Sequence, residues 1–344
     1  MLPTIEEIKK TIVFPNSILI PELQGYTPLP GLLGPLQYSG GFSIVFPFSN
    51  GTDTKALRIW HKEIPQIHQR TIAVSSFLSS LNDISYFVNY RYIPNCVRFS
   101  PSVLLDAVLM DWVDGETLKD YINDVILSDS LLTSQKQDAL KKLSTEFYKM
   151  FKVLHHNHVS HGDLQHGNII IQSSNQIRLL DYDSFYVPSL GNSTPQVTTG
   201  FSGYQHPARF KSRFSSEKDD YFSELIIITS LLALSEDLSL WNDFSIIDNE
   251  YSLLFTSRDF SSFPESAIYK RLQHCTDAVK ELLMEIERFL KIGEINRLSP
   301  IEEVLSRHHL LQLFDSEKDV FCIKCGTRYL QGDNYCIICG NQRN

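Results

Sequence analysis

The sequence predicts an α+β chain: a small sheet-rich lobe, a larger helical lobe after it, and a small metal-stapled module at the C-terminal end. Three observations predict this. Residues 36–58 alternate apolar with small or polar side chains, and Gly40-Gly41 and Asn50-Gly51 supply turn signals between them. Residues 132–156 carry Leu140, Leu143, Phe147, Met150, Phe151 and Leu154 at helical spacing. Two matched Cys-x-x-Cys-Gly runs fall near the end of the chain. Strands first and helices later fit a sheet layer and a helical layer built in succession.

Taken in order, residues 1–35 are rich in Pro and Gly and read as an irregular lead-in. Residues 36–109 make the sheet lobe, with hairpin strands to about Arg58, a helical pattern at 66–81 and a strand at 103–110. Residues 110–314 make the helical lobe. Gly115 opens a helix carrying Leu118, Tyr121 and Ile122, and the long helix at 132–156 follows. Two short apolar runs, 169–171 and 177–180, flank Ser173-Ser174-Asn175 and predict a hairpin. Residues 182–205 read as loop, and helices are expected at 221–234, 268–290 and 301–311. Residues 318–344 form the C-terminal module.

The formal net charge is −9, with no cluster of Lys and Arg to displace counterions, so nucleic acid is not an expected partner. The most apolar run, residues 225–234, falls short of the roughly 20 residues that span a bilayer, so a buried helix and no membrane partner are expected. No targeting signal is read at residues 1–10. Cys96 and Cys275 stand alone as buried small hydrophobes, and the other four cysteines sit at metal-ligand spacing. That usage suits a reducing, cytoplasmic compartment rather than a disulfide framework.

The chemistry concentrates in His161-Gly162-Asp163-Leu164-Gln165-His166-Gly167-Asn168 and in Leu179-Leu180-Asp181-Tyr182-Asp183, one before and one after the expected hairpin. Phosphoryl transfer asks little covalent chemistry of a protein. It needs a carboxylate that orients an attacking hydroxyl and accepts its proton, here Asp163. It also needs oxygen ligands that hold Mg²⁺ across the phosphates, here Asn168 and Asp181.

In type, order and spacing these three residues resemble the catalytic set of protein kinases, and the resemblance extends over most of the chain. It implies a bilobal protein-kinase-like fold, with ATP and Mg²⁺ as cofactors and a protein substrate. Leu109-Met110-Asp111-Trp112-Val113-Asp114-Gly115-Glu116 resembles the kinase hinge, with Met110 as gatekeeper and main-chain groups of Asp111 and Val113 toward the adenine edge. Residues 38–45 (YSGGFSIV) stand where kinases keep the phosphate loop. Gly40 matches its second glycine beside Gly41, while Tyr38 and Ser43 replace the first and third. Ala56-Leu57-Arg58 resembles the Ala-x-Lys strand, with Arg58 in the lysine position as a phosphate clamp. Val45, Ala56 and Ile170 are implied as nucleotide-contacting residues.

Tyr204-Gln205-His206-Pro207 resembles the end of an activation segment. Asp220-Tyr221-Phe222-Ser223 resembles the helix start whose Asp braces the catalytic loop. Both favour the protein-kinase branch over small-molecule phosphotransferases of the aminoglycoside-kinase type. With HGDLQHGN and the terminal cysteines, the chain resembles bacterial serine/threonine kinase-like proteins. Their relatives occur with a PP2C-type phosphatase and a von Willebrand A-domain protein, as in tellurium-resistance phosphorylation triads; those partners are implied by resemblance alone.

Several positions depart from the pattern. Arg58 is no neutral replacement for lysine, being larger and planar. No acidic residue lies at the matching place in 66–81 to anchor it, Gln69 being the nearest polar side chain. Gln165 stands where a phosphate-touching Lys is usual. Asp183 replaces the Gly of D-F-G, as a further Mg²⁺ ligand or a solvated turn residue. Ala208 replaces a Glu that usually makes an ion pair. Gly162 replaces the Arg that reads a phosphorylated segment, so no such phosphorylation is expected to be required. The metal and base set is intact while the phosphate grip is altered. An active Ser/Thr protein kinase is therefore the leading expectation and a nucleotide-binding pseudokinase scaffold the alternative.

Cys322, Cys325, Cys336 and Cys339 supply four sulfurs in two knuckles, the donor set of a closed structural Zn²⁺ site. Iron in a rubredoxin-like site is the rival. So small a module needs its metal to fold, and a zinc ribbon that docks protein partners is expected.

Overall fold

The computed structural model describes residues 2–81, 85–173, 175–245, 252–314, 321–327 and 334–343. It divides into two compact units, Met1–Leu81 with Phe87–Val113, and Asn82–Tyr86 with Asp114–Asn344.

The first unit opens with α1 (Ile5–Ile12), whose start is fixed by a capping box between Thr4 and Glu7. The irregular lead-in expected over residues 1–35 is thus a correction: its local signal, Thr-x-x-Glu before Ile8 and Ile12, builds a helix that buries both isoleucines. The same stretch adds β1 (Thr27–Pro28) to the main sheet, and β2 (Pro30–Gly31) and β3 (Gly34–Pro35) pair with each other. The hairpin strands follow as β4 (Tyr38–Ser39), β5 (Ser43–Ser49) and β6 (Thr54–Trp60). Then come α2 (Ile67–Ser80), β7 (Tyr90–Ser100) and β8 (Val103–Asp111). The antiparallel sheet runs β1-β5-β6-β8-β7, with β4 also on β5.

Strand side chains alternate between faces, and this decides the chemistry of each face. Ile44, Phe46 and Phe48 of β5, Leu57 and Ile59 of β6, and Leu105, Ala107 and Leu109 of β8 form one buried cluster with Ile8 and Ile12 of α1. The intervening residues, Ser43, Val45, Ala56, Arg58 and Met110, therefore share the opposite face.

The second unit opens with β9 (Glu116–Thr117), which pairs with β10 (Ile169–Ile171), itself paired with β11 (Ile177–Leu179). Ser174 of the expected hairpin turn lies outside the described residues. Its helices are α3 (Leu118–Leu127), α4 (Thr133–His156), α5 (Tyr221–Glu236), α6 (Ser239–Phe244), α7 (Ser257–Ser261), α8 (Ala267–Leu272), α9 (Asp277–Leu290) and α10 (Ile301–Arg307). Every residue of α5 from Tyr221 to Leu234 is buried, as a helix apolar on all sides requires. Among the described residues no helix is long and apolar enough to cross a membrane. The single helix expected over 268–290 is two, because Thr276 starts α9 afresh and is bonded through its N–H and hydroxyl to Glu236.

Three ionisable groups, Glu224 buried and His155 and Glu302 half-buried, lock α4, α5 and α10 together. His155 Nε2 meets Glu224 at 2.7 Å and its Nδ1 meets Glu302 at 2.8 Å. Burial alone would push the imidazole down; the Glu224 and Glu302 carboxylates override it and hold it up at about 10.

At the C-terminus the two knuckles repeat one geometry. Gly326 N–H donates to Cys322 O at 2.8 Å, and Gly340 N–H to Cys336 O at 2.9 Å. The first knuckle packs on the helical body: Asn157 Nδ2 donates to Lys324 O at 3.4 Å, and Lys149 Nζ lies 3.6 Å from the centre of the Phe321 ring.

Candidate active site

Two loops of the second unit are fastened to each other through their backbones. Leu180 N–H donates to Asn168 O at 2.8 Å. The His161 ring reaches Leu180 O from Nε2 at 2.7 Å. Leu180 directly precedes Asp181, so Asp163, Asn168 and Asp181 are carried on one cross-bonded frame. Asp220, at the start of α5, holds that frame from the other side. It accepts from His161 N–H and from Gly162 N–H, the latter at 3.0 Å. This is the brace expected from the Asp220-Tyr221-Phe222-Ser223 run.

Within the frame Asn168 donates Nδ2 to the Asp163 carbonyl at 2.9 Å. With its nitrogen committed, the Asn168 oxygen is the end left for a cation. Asp163 Oδ1 is buried without a hydrogen-bond partner. Burial pushes the Asp163 carboxyl up to about 6, against His161; the Asp181 charge adds to the rise and Arg209 opposes it. Asp181 is exposed and holds a left-handed backbone at φ 62°, a strained conformation for a residue with a side chain. The Asp181 carboxylate and the Asn168 amide oxygen are hard donors of the kind Mg²⁺ selects.

Gly200, from the segment after Asp181, lies against this group at φ +72°. A Cβ there would stand 2.5 Å from Asp163 Oδ1 and 3.1 Å from Gln205 Nε2. Asp183 is 6% exposed, so it is not the solvated turn residue offered as one reading; burial of that kind is a tertiary property. Gln165 is also buried, and its side-chain oxygen accepts from Gly167 N–H at 2.6 Å, shaping the turn before Asn168.

In the first unit, the register sets Val45 opposite Arg58 and Ala56 opposite Met110. Gly40 and Gly41 turn the chain between β4 and β5, with Gly40 N–H donating to Ser43 O at 2.9 Å. Arg58 is buried and donates Nε to Ser43 Oγ at 2.7 Å. The serine that departs from the glycine pattern is therefore a partner of the arginine that departs from the lysine pattern. Strand alternation places both on one face. Gln69 is exposed on α2, whereas the neighbouring Arg70 is buried, so Gln69 anchors nothing. Asp111 N–H is bonded to Asn89 O at 3.3 Å, its carboxylate pairs with Lys55 at 2.8 Å, and Val113 closes the unit. Ile170, in the second unit, is buried on β10.

One residue in the neighbourhood of Asp163 escaped sequence reasoning altogether. Arg209 is 1% exposed, and its guanidinium reaches the Gly162 carbonyl, the Gln205 side chain at 2.6 Å and the Asp219 carboxylate at 3.4 Å. Its position one after Ala208 was the available signal, since a cation there can answer the loss of the usual Glu.

The four ribbon sulfurs lie within 4.8 Å of one another, with Cys322–Cys339 and Cys325–Cys336 each at 3.4 Å. A tetrahedral Zn²⁺ with bonds of about 2.3 Å separates its sulfurs by about 3.8 Å. The donor set and its spread fit that ion, and Cys96 and Cys275 are buried apart from it.

The sequence agrees with this geometry when compared with known proteins. The serine/threonine-protein kinase NLK2 of Xenopus laevis is 23% identical over 190 residues, which cover 54% of this chain and 41% of that protein. The serine/threonine-protein kinase CLA4 of Eremothecium gossypii is 23% identical over 125 residues, 36% of this chain and 16% of that protein. The chain thus spans less than half the length of either relative. The protein kinase domain family matches residues 40–310. With a sheet-rich N-lobe, a helical C-lobe and that match over most of its length, the chain belongs to the protein kinase domain family.

Proposed function

We propose that the chain is an ATP- and Mg²⁺-dependent protein kinase that transfers the γ-phosphate to Ser or Thr hydroxyls. The observation that carries this reading is Asp163, whose buried oxygen lacks a partner and whose carboxyl is pushed up to about 6. A base with a value near the working pH accepts a proton most effectively in the transition state. Asp163 orients the substrate hydroxyl and takes its proton at Oδ1. Asn168 and Asp181 offer oxygens to the cation. When bound, Mg²⁺ neutralises charge developing on the transferring phosphoryl group. The first unit serves the nucleotide: Gly40, Gly41 and Arg58 take the phosphates, and Val45, Ala56, Met110, Asp111 and Val113 take the base; the family resemblance also implies Ile170 as a nucleotide-contacting residue.

The same reading takes residues 36–109 and 110–314 as the lobes and 318–344 as a Zn²⁺ ribbon for protein docking. It extends to a cytoplasmic, bacterial-type enzyme acting alongside a PP2C-type phosphatase and a von Willebrand A-domain protein. The ribbon chemistry supports a reducing compartment; the partners rest on resemblance.

One observation favours a second reading, a nucleotide-binding pseudokinase scaffold: Gly200 lies directly on the Asp163 carboxylate. Radiolabel transfer from ATP to generic protein substrates, with thermal shift by ATP and Mg²⁺, separates the two. Asp163→Ala is expected to abolish transfer and keep the nucleotide shift. Equal transfer by variant and parent defeats the assignment of the base, and binding without transfer by the parent favours the scaffold.

A further inference from the structure

Arg209 has contacts that no part of the phosphate-handling scheme uses. It stands at the end of the segment that follows Asp181, in the turn Pro207–Lys211. Nε donates to Gln196 at 3.2 Å, Nη1 to Gln205 at 2.6 Å, and Nη2 to the Gly162 carbonyl. The ion pair with Asp219 at 3.4 Å is almost wholly buried, and the burial raises the Asp219 carboxyl while Arg209 pulls it back. One planar side chain thus joins an early point of the segment, a late point, the catalytic loop and the approach to α5.

The Gly162 carbonyl belongs to the peptide bond whose nitrogen is Asp163. Its neighbouring peptide is already pinned, because Gly162 N–H donates to Asp220 at 3.0 Å. A bond to the carbonyl fixes the remaining plane, and with it the direction in which the Asp163 side chain leaves the backbone. Nothing larger than hydrogen fits at Gly162 itself, since a Cβ would meet Ser184 O at 2.4 Å. An arginine at that place has no room to read a phosphate on the segment, so the cation arrives from the segment instead.

We infer that Arg209 is a positioning residue for Asp163: it fastens the segment 196–205 to the catalytic loop through the Gly162 carbonyl, and so holds the base in register without a phosphate on the segment. A five-donor fork in fixed geometry suits this task in a way a lysine does not. The inference rests on the kinase reading for its consequence and on hydrogen bonding for its test.

The test uses the full chain and three variants, Arg209→Gln, Arg209→Lys and Gln196→Ala. Hydrogen exchange of residues 192–205 and 162–165 is measured first, without any turnover. Arg209→Gln is expected to exchange at least about tenfold faster in both stretches, and Arg209→Lys to fall between. The kinetics of transfer are measured second, with kcat and the KM for ATP read separately for Arg209→Gln and Arg209→Lys. A misplaced base costs on the order of tenfold to a hundredfold in kcat, with the KM for ATP unchanged. If Arg209→Gln does not fold, Gln196→Ala carries the exchange comparison, since it removes the Nε partner and leaves the ion pair. Exchange equal to the parent's in the variants that fold overturns the inference. A parent that transfers no phosphate defeats the kinase reading, and the exchange result then decides on Arg209 alone.

Discussion

Gly162 gives the sharpest quantitative prediction. Its φ is +76°, and a Cβ would stand 2.4 Å from Ser184 O and 3.0 Å from Ser184 Cβ. Gly191 is its natural control, with φ +71° and nothing within 4 Å of where a Cβ would stand. Alanine at either site is strained by the positive φ, and at Gly191 the ψ of 172° lies in a region that glycine almost alone uses, so the backbone cost is about 1–3 kcal/mol at each. At Gly162 overpacking adds about 1–3 kcal/mol, because the obstacle is backbone rather than a flexible side-chain end. The totals are about 1–3 kcal/mol for Gly191→Ala and about 2–6 kcal/mol for Gly162→Ala. In a unit of this size each kcal/mol moves Tm by about 2–4 °C. Thermal melts should therefore place Gly162→Ala below Gly191→Ala. The displaced atom lies in the turn Tyr182–Ser184 immediately after Asp181, so phosphate transfer should also fall at least about tenfold. Gly191→Ala should retain the parent rate. Equal melts and equal rates for the two variants would refute the claim that Ser184 closes the site at Gly162.

Three other predictions follow from the buried groups and the ribbon. Asp163 works as a base only when ionised, and its carboxyl is pushed up to about 6, so kcat/KM should be full above that pH and fall as pH drops through it; a profile flat down to pH of about 4 contradicts the role. His155→Gln leaves Glu224 buried beside no cation and should cost about 3–5 kcal/mol near neutral pH. The folded imidazole is held up at about 10, so its contribution is complete below the unfolded value near 6.5 and is lost as pH rises through 10. Urea midpoints of parent and variant should converge at high pH, and a gap independent of pH would count against the ion triad. Chelation, or Cys336→Ser, should dissolve the ribbon and uncover Tyr86, whose ring a Gly326 Cβ would meet at 2.9 Å. Because Tyr86 O accepts from Leu179 N–H at 2.9 Å, exchange at Leu179 should rise with it; unchanged exchange after verified metal loss would break that link.

What the sequence reveals about the fold and the site depends on how far the determining contacts reach. The loops around Asp163, Asn168 and Asp181 were legible because a few adjacent residues of fixed type carry their chemistry. Helices α2 and α4 were legible because their spacing of apolar residues is local, and α5 because its apolar run at 225–234 is nearly unbroken. β7 was not anticipated: Pro94 weakens a strand reading, and the pairing with β8 shifts register between Ile93 and Val97. α1 was missed among flanking prolines and glycines although its capping box was in plain view. The break before α9 depends on Glu236, 40 residues away from Thr276 in sequence, which no window around residue 276 contains. Asp183 and Arg209 failed for the same reason. A lone charged residue reads as solvated until the elements that bury it are assembled.

The departures from the kinase pattern make more physical sense as sets than one at a time. Ser43 adds a hydroxyl where a glycine was expected, and that hydroxyl binds the guanidinium that stands in for a lysine at 2.7 Å. Gly162 removes an arginine, and the space it vacates is closed by Ser184 while Arg209 bonds the carbonyl it exposes. Ala208 removes an acid, and the next residue forms a buried pair with Asp219 instead. A site decaying by random loss accumulates polar groups stranded without partners, each costing about 1–3 kcal/mol. Here Ser43 with Arg58, and Arg209 with Asp219, supply one another's partners, while Asp163 Oδ1 on the catalytic loop and Ser184 Oγ in the turn after Asp181 are buried without a hydrogen bond. The two pairings are what substitutions accommodated together produce, and they make Ser43 and Arg58 one feature of the sheet lobe and Arg209 and Asp219 one feature of the helical lobe.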